Sequence, residues 1–160
     1  MALARLGADH GADAESILVA AMAGRHQVRM GQAHDVLALP GMGAFVDGRL
    51  AGLATWAPGP ERFELAVLAV SAAQRGMGLG GALVEATVDV ARRAGATSVW
   101  LVTTNDNLDA LRLYQRHRFR LVELRAGAVD RTRAVVMPGI PTLGNYGIPL
   151  RDELVLERAL

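Results

Sequence analysis

Two groups of residues have the types and spacing needed to bind an anion and to move a proton. The first is a run of glycines, Gly76, Gly78, Gly80 and Gly81, preceded by Arg75. Glycine lets backbone N–H groups approach a ligand closely, and the free N–H groups at the start of a helix favour negative charge. The arginine adds a full positive charge at the same place. The sequence therefore predicts a site for a phosphate-bearing cofactor.

The second group shares one face of a predicted helix. Asn107, Ala110 and Tyr114 are spaced i, i+3, i+7, so their side chains project from the same side. An asparagine near a helix start can contact a ligand, but it can equally cap the helix. A tyrosine in this place can donate a proton, but it can equally be a half-buried core residue. The residues alone leave both alternatives open.

The elements that position these groups follow from the apolar pattern. Leu65 to Val70 is a short apolar run typical of a buried strand, and the helical spacing of apolar residues after the glycines continues to Arg93. Ser98 to Thr103 is the next buried strand, and Leu108 to His117 is the second helix. Strand, helix and strand in this order indicate a βαβ crossover with two parallel neighbouring strands.

The rest of the chain gives weaker but usable signals. Asp47-Gly48 lies between two apolar runs and predicts a tight hairpin that joins Ala44–Val46 to Leu50–Trp56. The segment from His26 to Gly41 is weakly patterned, apart from Asp35, which could cap a short helix through Leu39. The remaining predicted elements are strands at 2–6, 120–124 and 153–157 and helices at 14–22 and 127–137.

Composition limits the kinds of protein that this chain can be. It has 160 residues, 51% of them hydrophobic, which predicts one globular domain over residues 1–160. The net charge of +1 gives no electrostatic reason to expect nucleic acid or an anionic membrane as a partner. The absence of cysteine excludes disulfides and a thiol nucleophile. We expect a cytoplasmic protein without metal, whose four histidines lie on the surface.

Two other nucleotide sites fit the glycine run poorly. A nucleoside-triphosphate loop ends in Gly-Lys-Ser/Thr, and this chain contains no lysine. Gly76, Gly78 and Gly81 formally match the dinucleotide fingerprint of a nicotinamide-dependent oxidoreductase. That fingerprint directly follows the first strand of a repeated βαβ array, whereas here Ser71 to Arg75 intervene and a hairpin precedes the unit. We therefore disfavour both interpretations.

Both motifs together resemble those of a known family. Gln74 to Gly80, preceded by Leu68-Ala69-Val70, resembles the acetyl-CoA signature of the GNAT superfamily of N-acetyltransferases, and Asn107 to Tyr114, ending at Phe119, resembles its second motif. The resemblance covers residues 63–123 and leaves 125–152 as an insertion before the last strand. It implies a single α/β domain: a mixed sheet with helices on both faces and two central parallel strands that splay apart.

The resemblance also implies how acetyl-CoA is held. The backbone of Leu68 and Val70 would pair with the pantetheine arm, and Asn107 would hydrogen-bond the same arm. The amides from Arg75 to Gly81 would hold the pyrophosphate. The implied acceptor is a primary amine of a small molecule or a peptide, which attacks the thioester directly while both substrates are bound. The resemblance leaves a homodimer open.

Three catalytic tasks follow from this reaction. The N–H of Val70 would polarise the thioester carbonyl, and Tyr114 would protonate the leaving thiolate. Glu64 is the first candidate for the base that leaves the amine neutral, with Glu61 second; the alternative for Glu64 is a solvated carboxylate at a strand end. A bulge in this strand would change the face of the sheet to which each following side chain points. The alternation of side chains therefore does not decide between the two interpretations of Glu64.

The chain departs from the family pattern in two places. His117-Arg118-Phe119 replaces the usual Leu-Gly-Phe, so Arg118 must either adopt a left-handed conformation or end the helix differently. Ser71-Ala72-Ala73 replaces a frequent Asp-Pro pair without expected consequence.

The loop from Pro138 to Pro149 is long and rich in proline and glycine, and we expect it to form part of the acceptor wall. A CoA-binding sensor without transferase activity is the alternative function.

Overall fold

The computed structural model describes residues 1–22 and 24–160, which form a mixed α/β domain. The helices are α1 (Gly11–Met22), α2 (Leu79–Arg93), α3 (Leu108–Arg116) and α4 (Ala128–Val135). The strands are β1 (Ala2–Arg5), β2 (His26–Arg29), β3 (Gln32–Asp35), β4 (Gly41–Val46), β5 (Arg49–Ala57), β6 (Arg62–Val70), β7 (Ser98–Thr104), β8 (Arg120–Arg125) and β9 (Glu153–Ala159). No helix in these ranges is long and apolar enough to cross a membrane.

Seven of the strands form one sheet in the order β1-β4-β5-β6-β7-β9-β8. Its first four strands are antiparallel neighbours, β6 and β7 run parallel, and β9 and β8 add two antiparallel pairings. The predicted parallel neighbours are therefore confirmed, and so is the hairpin between β4 and β5. Asp47 and Gly48 turn that hairpin with φ of 49° and 78°, the left-handed values that a tight two-residue turn needs.

The helices cover both faces of this sheet, as the resemblance implies. Helix α2 packs with one face of β4, β5 and β6, where its apolar side chains join Phe63 and Leu65 in the larger core. Helix α1 packs on the other face, where Ile17 and Leu18 contact the core around Val67. The alternation of β6 between these two cores is interrupted between Leu65 and Val67, where its register with β5 shifts. This shift is the bulge that sequence parity alone could not locate.

The structure adds elements that the pattern did not reveal. The weakly patterned segment contains a separate two-stranded sheet, β2 paired with β3, whose turn holds Met30 at φ 53°. The short helix after Asp35 is a single 3₁₀ turn over Val36–Ala38, and the Asp35 carboxylate accepts the Leu37 N–H as predicted for a cap. These residues are neither periodic nor apolar enough to predict a hairpin.

Candidate active site

A gap opens between the two parallel central strands. β6 and β7 pair only through Arg62, Phe63 and Glu64, opposite Ser98, Val99 and Trp100. Beyond Glu64 the two strands separate, so among the described residues no strand pairs with the gap side of β6 up to Val70. The Val70 carbonyl on that side lies 3.4 Å from Nε of Arg75, which donates to it. The N–H of Ser71 donates to Ala51 of β5; since direction alternates along a strand, the Val70 N–H points into the gap. The backbone N–H of Leu68, two residues earlier, points into the gap in the same way.

The predicted glycine loop closes one end of this gap. Gly76 and Gly78 have φ of 79° and 82°, so their conformation explains why glycine stands there. Helix α2 starts at Leu79, and its first intrahelical bond is from Ala82 to Gly78. The amides before Ala82 in that turn have no helical partner and are available to an anion. The amide of Arg75 instead points at Ala72 O, 3.4 Å away.

Gly80 and Gly81 serve a different purpose from the two glycines before them. A Cβ on Gly80 would lie 3.3 Å from Cδ2 of Leu113 in α3 and 3.9 Å from Cγ2 of Val70. A Cβ on Gly81 would lie 2.8 Å from Nε2 of His117. The two glycines therefore let α3 pack closely against the first turn of α2, next to the gap.

Tyr114 lies in the larger core and is 7% exposed. Its ring makes a tilted contact with Phe119 at 5.8 Å between centroids. Burial raises the pKa of Tyr114 above its ordinary value of about 10. The hydroxyl is therefore protonated at neutral pH, which is the state that a proton donor needs. Both the core and the acid interpretation fit this position.

Asn107 stands at the N-cap position of α3, but its side chain does not cap the helix. Its Nδ2 donates to Oγ1 of Thr103 at 3.1 Å. The capping alternative is therefore wrong. The side chain lies between the end of β7 and the start of α3, at the open end of the gap, where it is half-buried.

Glu64 differs most from expectation. Its carboxylate forms an ion pair with Arg29 of β2, with Nε on Oε1 and Nη2 on Oε2, and the two side chains are only 13% and 10% exposed. The interpretation as a solvated strand-end carboxylate is therefore wrong. Glu61, the second candidate, is exposed and precedes β6, where its carbonyl accepts the Thr97 N–H at 2.8 Å.

Tyr114 and Glu64, the predicted proton donor and base, lie on opposite faces of the sheet. Phe63 and Leu65 point to the core that contains Tyr114, so Glu64 between them points to the other face. After the bulge, Leu68 and Val70 again pack against the core of Tyr114. Tyr114 and Glu64 therefore flank β6 from its two faces.

A polar cluster links α2 to the ends of α3 and β9. The Glu85 carboxylate accepts a hydrogen bond from Nη1 of Arg158 at 2.8 Å and lies 2.7 Å from Nδ1 of His117. The Arg158 guanidinium, with a smaller contribution from His117, holds the pKa of Glu85 below its usual value. His117 is partly buried, with 25% of its side chain exposed, so it reaches the surface and is also held in this cluster. Arg118 adopts φ 67°, the left-handed alternative expected where the family carries glycine.

The proline- and glycine-rich segment is attached to the start of α3. Asp106, which is 3% exposed, accepts both the backbone N–H and Nδ2 of Asn145. The Tyr146 hydroxyl donates to Asp109 at 2.8 Å. These contacts place Asn145 and Tyr146 beside the start of α3, next to Asn107. No pattern in the sequence indicated this role for Asp106.

Arg133 of α4 fixes the other side of the same segment. Its guanidinium donates to the carbonyls of Ile140, Pro141 and Leu150 at 2.7 to 2.9 Å. It also pairs with Asp130 in its own helix. One side chain thus connects the two ends, Ile140-Pro141 and Leu150, of a segment that has little regular structure.

Comparison with known proteins agrees with this geometry. The model of the acetyltransferase (GNAT) family matches residues 16–119. The uncharacterized protein YxbD of Bacillus subtilis (strain 168) is 34% identical over 114 residues, which are 71% of this chain and 70% of that protein. Streptothricin acetyltransferase of Streptomyces lavendulae is 34% identical over 88 residues, 54% of this chain but only 47% of that protein.

A solved structure supports the fold over nearly the whole chain. A GNAT family acetyltransferase from Elizabethkingia anophelis with acetyl-CoA bound superposes with a TM-score of 0.79, covering 99% of this chain and 97% of that one at 18% identity. The splayed strands, the glycine loop at the start of α2 and the family match lead to one conclusion. The chain belongs to the GNAT acetyltransferase family.

Proposed function

We propose that this acetyltransferase moves the acetyl group of acetyl-CoA to a primary amine, with both substrates bound together. The observation that carries the proposal is the gap itself. The parallel pairing of β6 and β7 ends at Glu64, which leaves the N–H of Val70 free to meet a ligand beside the first turn of α2. Backbone donors along a strand and at a helix start suit an amide-containing arm and a diphosphate respectively.

The residues of the gap fit acetyl-CoA. The positive φ of Gly76 and Gly78 exposes the amides that follow them, and these amides would hold the diphosphate. Leu68 and Val70 would pair with the pantetheine arm, and Asn107 would donate to it. Arg75 would add its charge at the entrance through its side chain, since its amide points at Ala72. Acetyl-CoA bound there supplies an acetyl group activated as a thioester.

Three residues would carry the transfer. Glu64, directly or through water, takes the proton from the acceptor ammonium and so frees its lone pair. As the C–N bond forms, the Val70 N–H stabilises the negative charge that develops on the carbonyl oxygen. As the C–S bond breaks, Tyr114 gives its hydroxyl proton to the departing sulfur. The nitrogen loses its second proton to the solvent as the amide forms; Glu64 then releases its proton to the solvent and Tyr114 recovers one from it. The buried, protonated hydroxyl of Tyr114 supports this role.

The acceptor belongs on the face of the sheet where Glu64 lies. That face also carries the β2–β3 hairpin, and the segment 138–149 lies at the open end of the gap. We propose that this segment forms part of the acceptor wall. The similarity to streptothricin acetyltransferase over about half of the chain favours a small-molecule amine over a protein substrate.

The test combines turnover with cofactor binding. Purified protein is given acetyl-CoA and amines from several classes, and free thiol is measured. Tyr114→Phe should lower kcat about 100-fold or more while the Kd for CoA in calorimetry stays within about twofold. Unchanged turnover in Tyr114→Phe would refute its role as the acid. CoA binding without turnover of any amine would instead indicate the sensor.

A further inference from the structure

Arg29 has one buried guanidinium nitrogen without a partner. Nε and Nη2 bind the two carboxylate oxygens of Glu64. Nη1 is buried and has no hydrogen-bond partner among the described residues. Buried polar atoms are almost always paired, because an unpaired one loses its hydration without compensation. A charged donor left free beside a candidate catalytic base therefore needs an explanation.

The position of this nitrogen is fixed from both sides. Arg29 lies at the end of β2, in the turn that Met30 completes with a positive φ. Arg125 of β8 contacts Sδ of Met30 and pairs with the buried Glu153 at 2.9 Å. The turn that follows Arg29 is therefore held against the sheet, and the guanidinium itself is held by its two bonds to Glu64.

Charge decides what kind of acceptor fits beside this pair. Arg29 and Glu64 neutralise each other, and so do Arg125 and Glu153. An amine arriving as a simple ammonium would put two cations on the single carboxylate of Glu64 in a poorly hydrated place, where like charges repel strongly. An acceptor that brings its own negative charge leaves the site neutral and gives Nη1 an oxygen partner.

We propose that the acceptor is a small amino acid whose carboxylate lies one or two carbon atoms from the amine, and that Nη1 of Arg29 binds this carboxylate. The inference rests on the proposed function and narrows its acceptor class. Since Nη1 and the nitrogens bound to Glu64 belong to one planar group, an α- or β-amino acid can reach both Nη1 and Glu64. A polyamine or a peptide N-terminus has no carboxylate in that place.

The experiment compares matched acceptors. Each α- or β-amino acid is assayed with acetyl-CoA beside the amine obtained by removing its carboxylate, and kcat/KM is measured for both. We expect the wild-type protein to prefer the amino acid by about 100-fold, mostly through KM. Arg29→Lys keeps a cation on Glu64 but has no second nitrogen for the carboxylate, so it should reduce the preference to less than about tenfold.

The control and the contrary results are equally specific. Arg131 of α4 lines the same surface pocket as Gly31 and Arg125 but donates to Ala126 O, so Arg131→Gln should keep the preference. Equal use of both acceptors by the wild type, or an unchanged preference in Arg29→Lys, would overturn the inference. If no acceptor is turned over, the proposed function fails, and calorimetry of the CoA-loaded protein decides the inference: amino acids must bind more tightly than their matched amines, and Arg29→Lys must abolish the difference.

Discussion

Replacing Gly81 with alanine tests the packing of α2 against the end of α3. The new Cβ would lie 2.8 Å from Nε2 and 3.1 Å from Cε1 of His117, whereas ordinary contact begins at 3.4 Å. The ring must therefore retreat by about 0.6 Å (3.4 minus 2.8). It cannot move freely, because Nδ1 is 2.7 Å from the Glu85 carboxylate.

Two effects of opposite sign set the result. Alanine is favoured over glycine inside a helix by about 1 kcal/mol. Forcing the ring away and weakening its hydrogen bond to Glu85 costs about 2 kcal/mol. The net expectation is a loss of about 1 kcal/mol in the free energy of unfolding. In a His117→Ala background the obstacle is absent, so the same change should stabilise by about 0.5–1 kcal/mol.

Urea unfolding of the four proteins in this cycle measures the coupling. We expect about 2 kcal/mol of interaction between the two positions. Gly11→Ala is the matched control, since Gly11 begins α1 and no atom of the described residues lies within 4 Å of its added Cβ. This change should not destabilise either background. Additivity of Gly81→Ala and His117→Ala to within about 0.5 kcal/mol would refute the proposed contact.

Three further predictions follow from backbone conformation and burial. Gly78→Ala should cost about 1–2 kcal/mol, because φ is 82°, and should weaken CoA binding in calorimetry at least tenfold; unchanged affinity would argue against the glycine loop as the diphosphate site. Arg118→Gly should stabilise by about 0.5–1 kcal/mol in urea unfolding, since relief of the left-handed strain exceeds the added freedom of the unfolded chain; a loss of stability would contradict this. Because burial raises the pKa of Tyr114, the unfolded chain loses that proton first, so the free energy of unfolding should fall as the pH rises above about 10, and less steeply in Tyr114→Phe; equal slopes would contradict it.

Most elements of the fold could be predicted from local sequence patterns. The Asp47-Gly48 turn, the apolar run of β6 and the glycines before α2 each have a short-range physical cause, and the structure contains the elements that they predicted. The two family motifs then supplied the topology, including the strands that diverge. At these positions the local conformational preferences of the sequence agree with the tertiary structure, so the elements are predictable from the sequence alone.

The site depended more on contacts between distant parts of the chain. Arg29 and Glu64 are 35 residues apart, and β2 lacks the alternating pattern that would have revealed the hairpin. His117 joins Glu85 across 32 residues, so this contact had no local signal. Asp106 likewise meets Asn145 only after folding. Pairings of this kind become visible only when the tertiary structure is known.

The single guanidinium of Arg133 has a consequence for ligand recognition. It donates hydrogen bonds to three carbonyls of the stretch between Ile140 and Leu150. These bonds hold a stretch with little regular structure in one conformation. An acceptor that binds there, as proposed, would meet a preorganised surface. Little conformational entropy would then be lost from the protein on binding. Selectivity at this wall would then arise from shape rather than from adaptation.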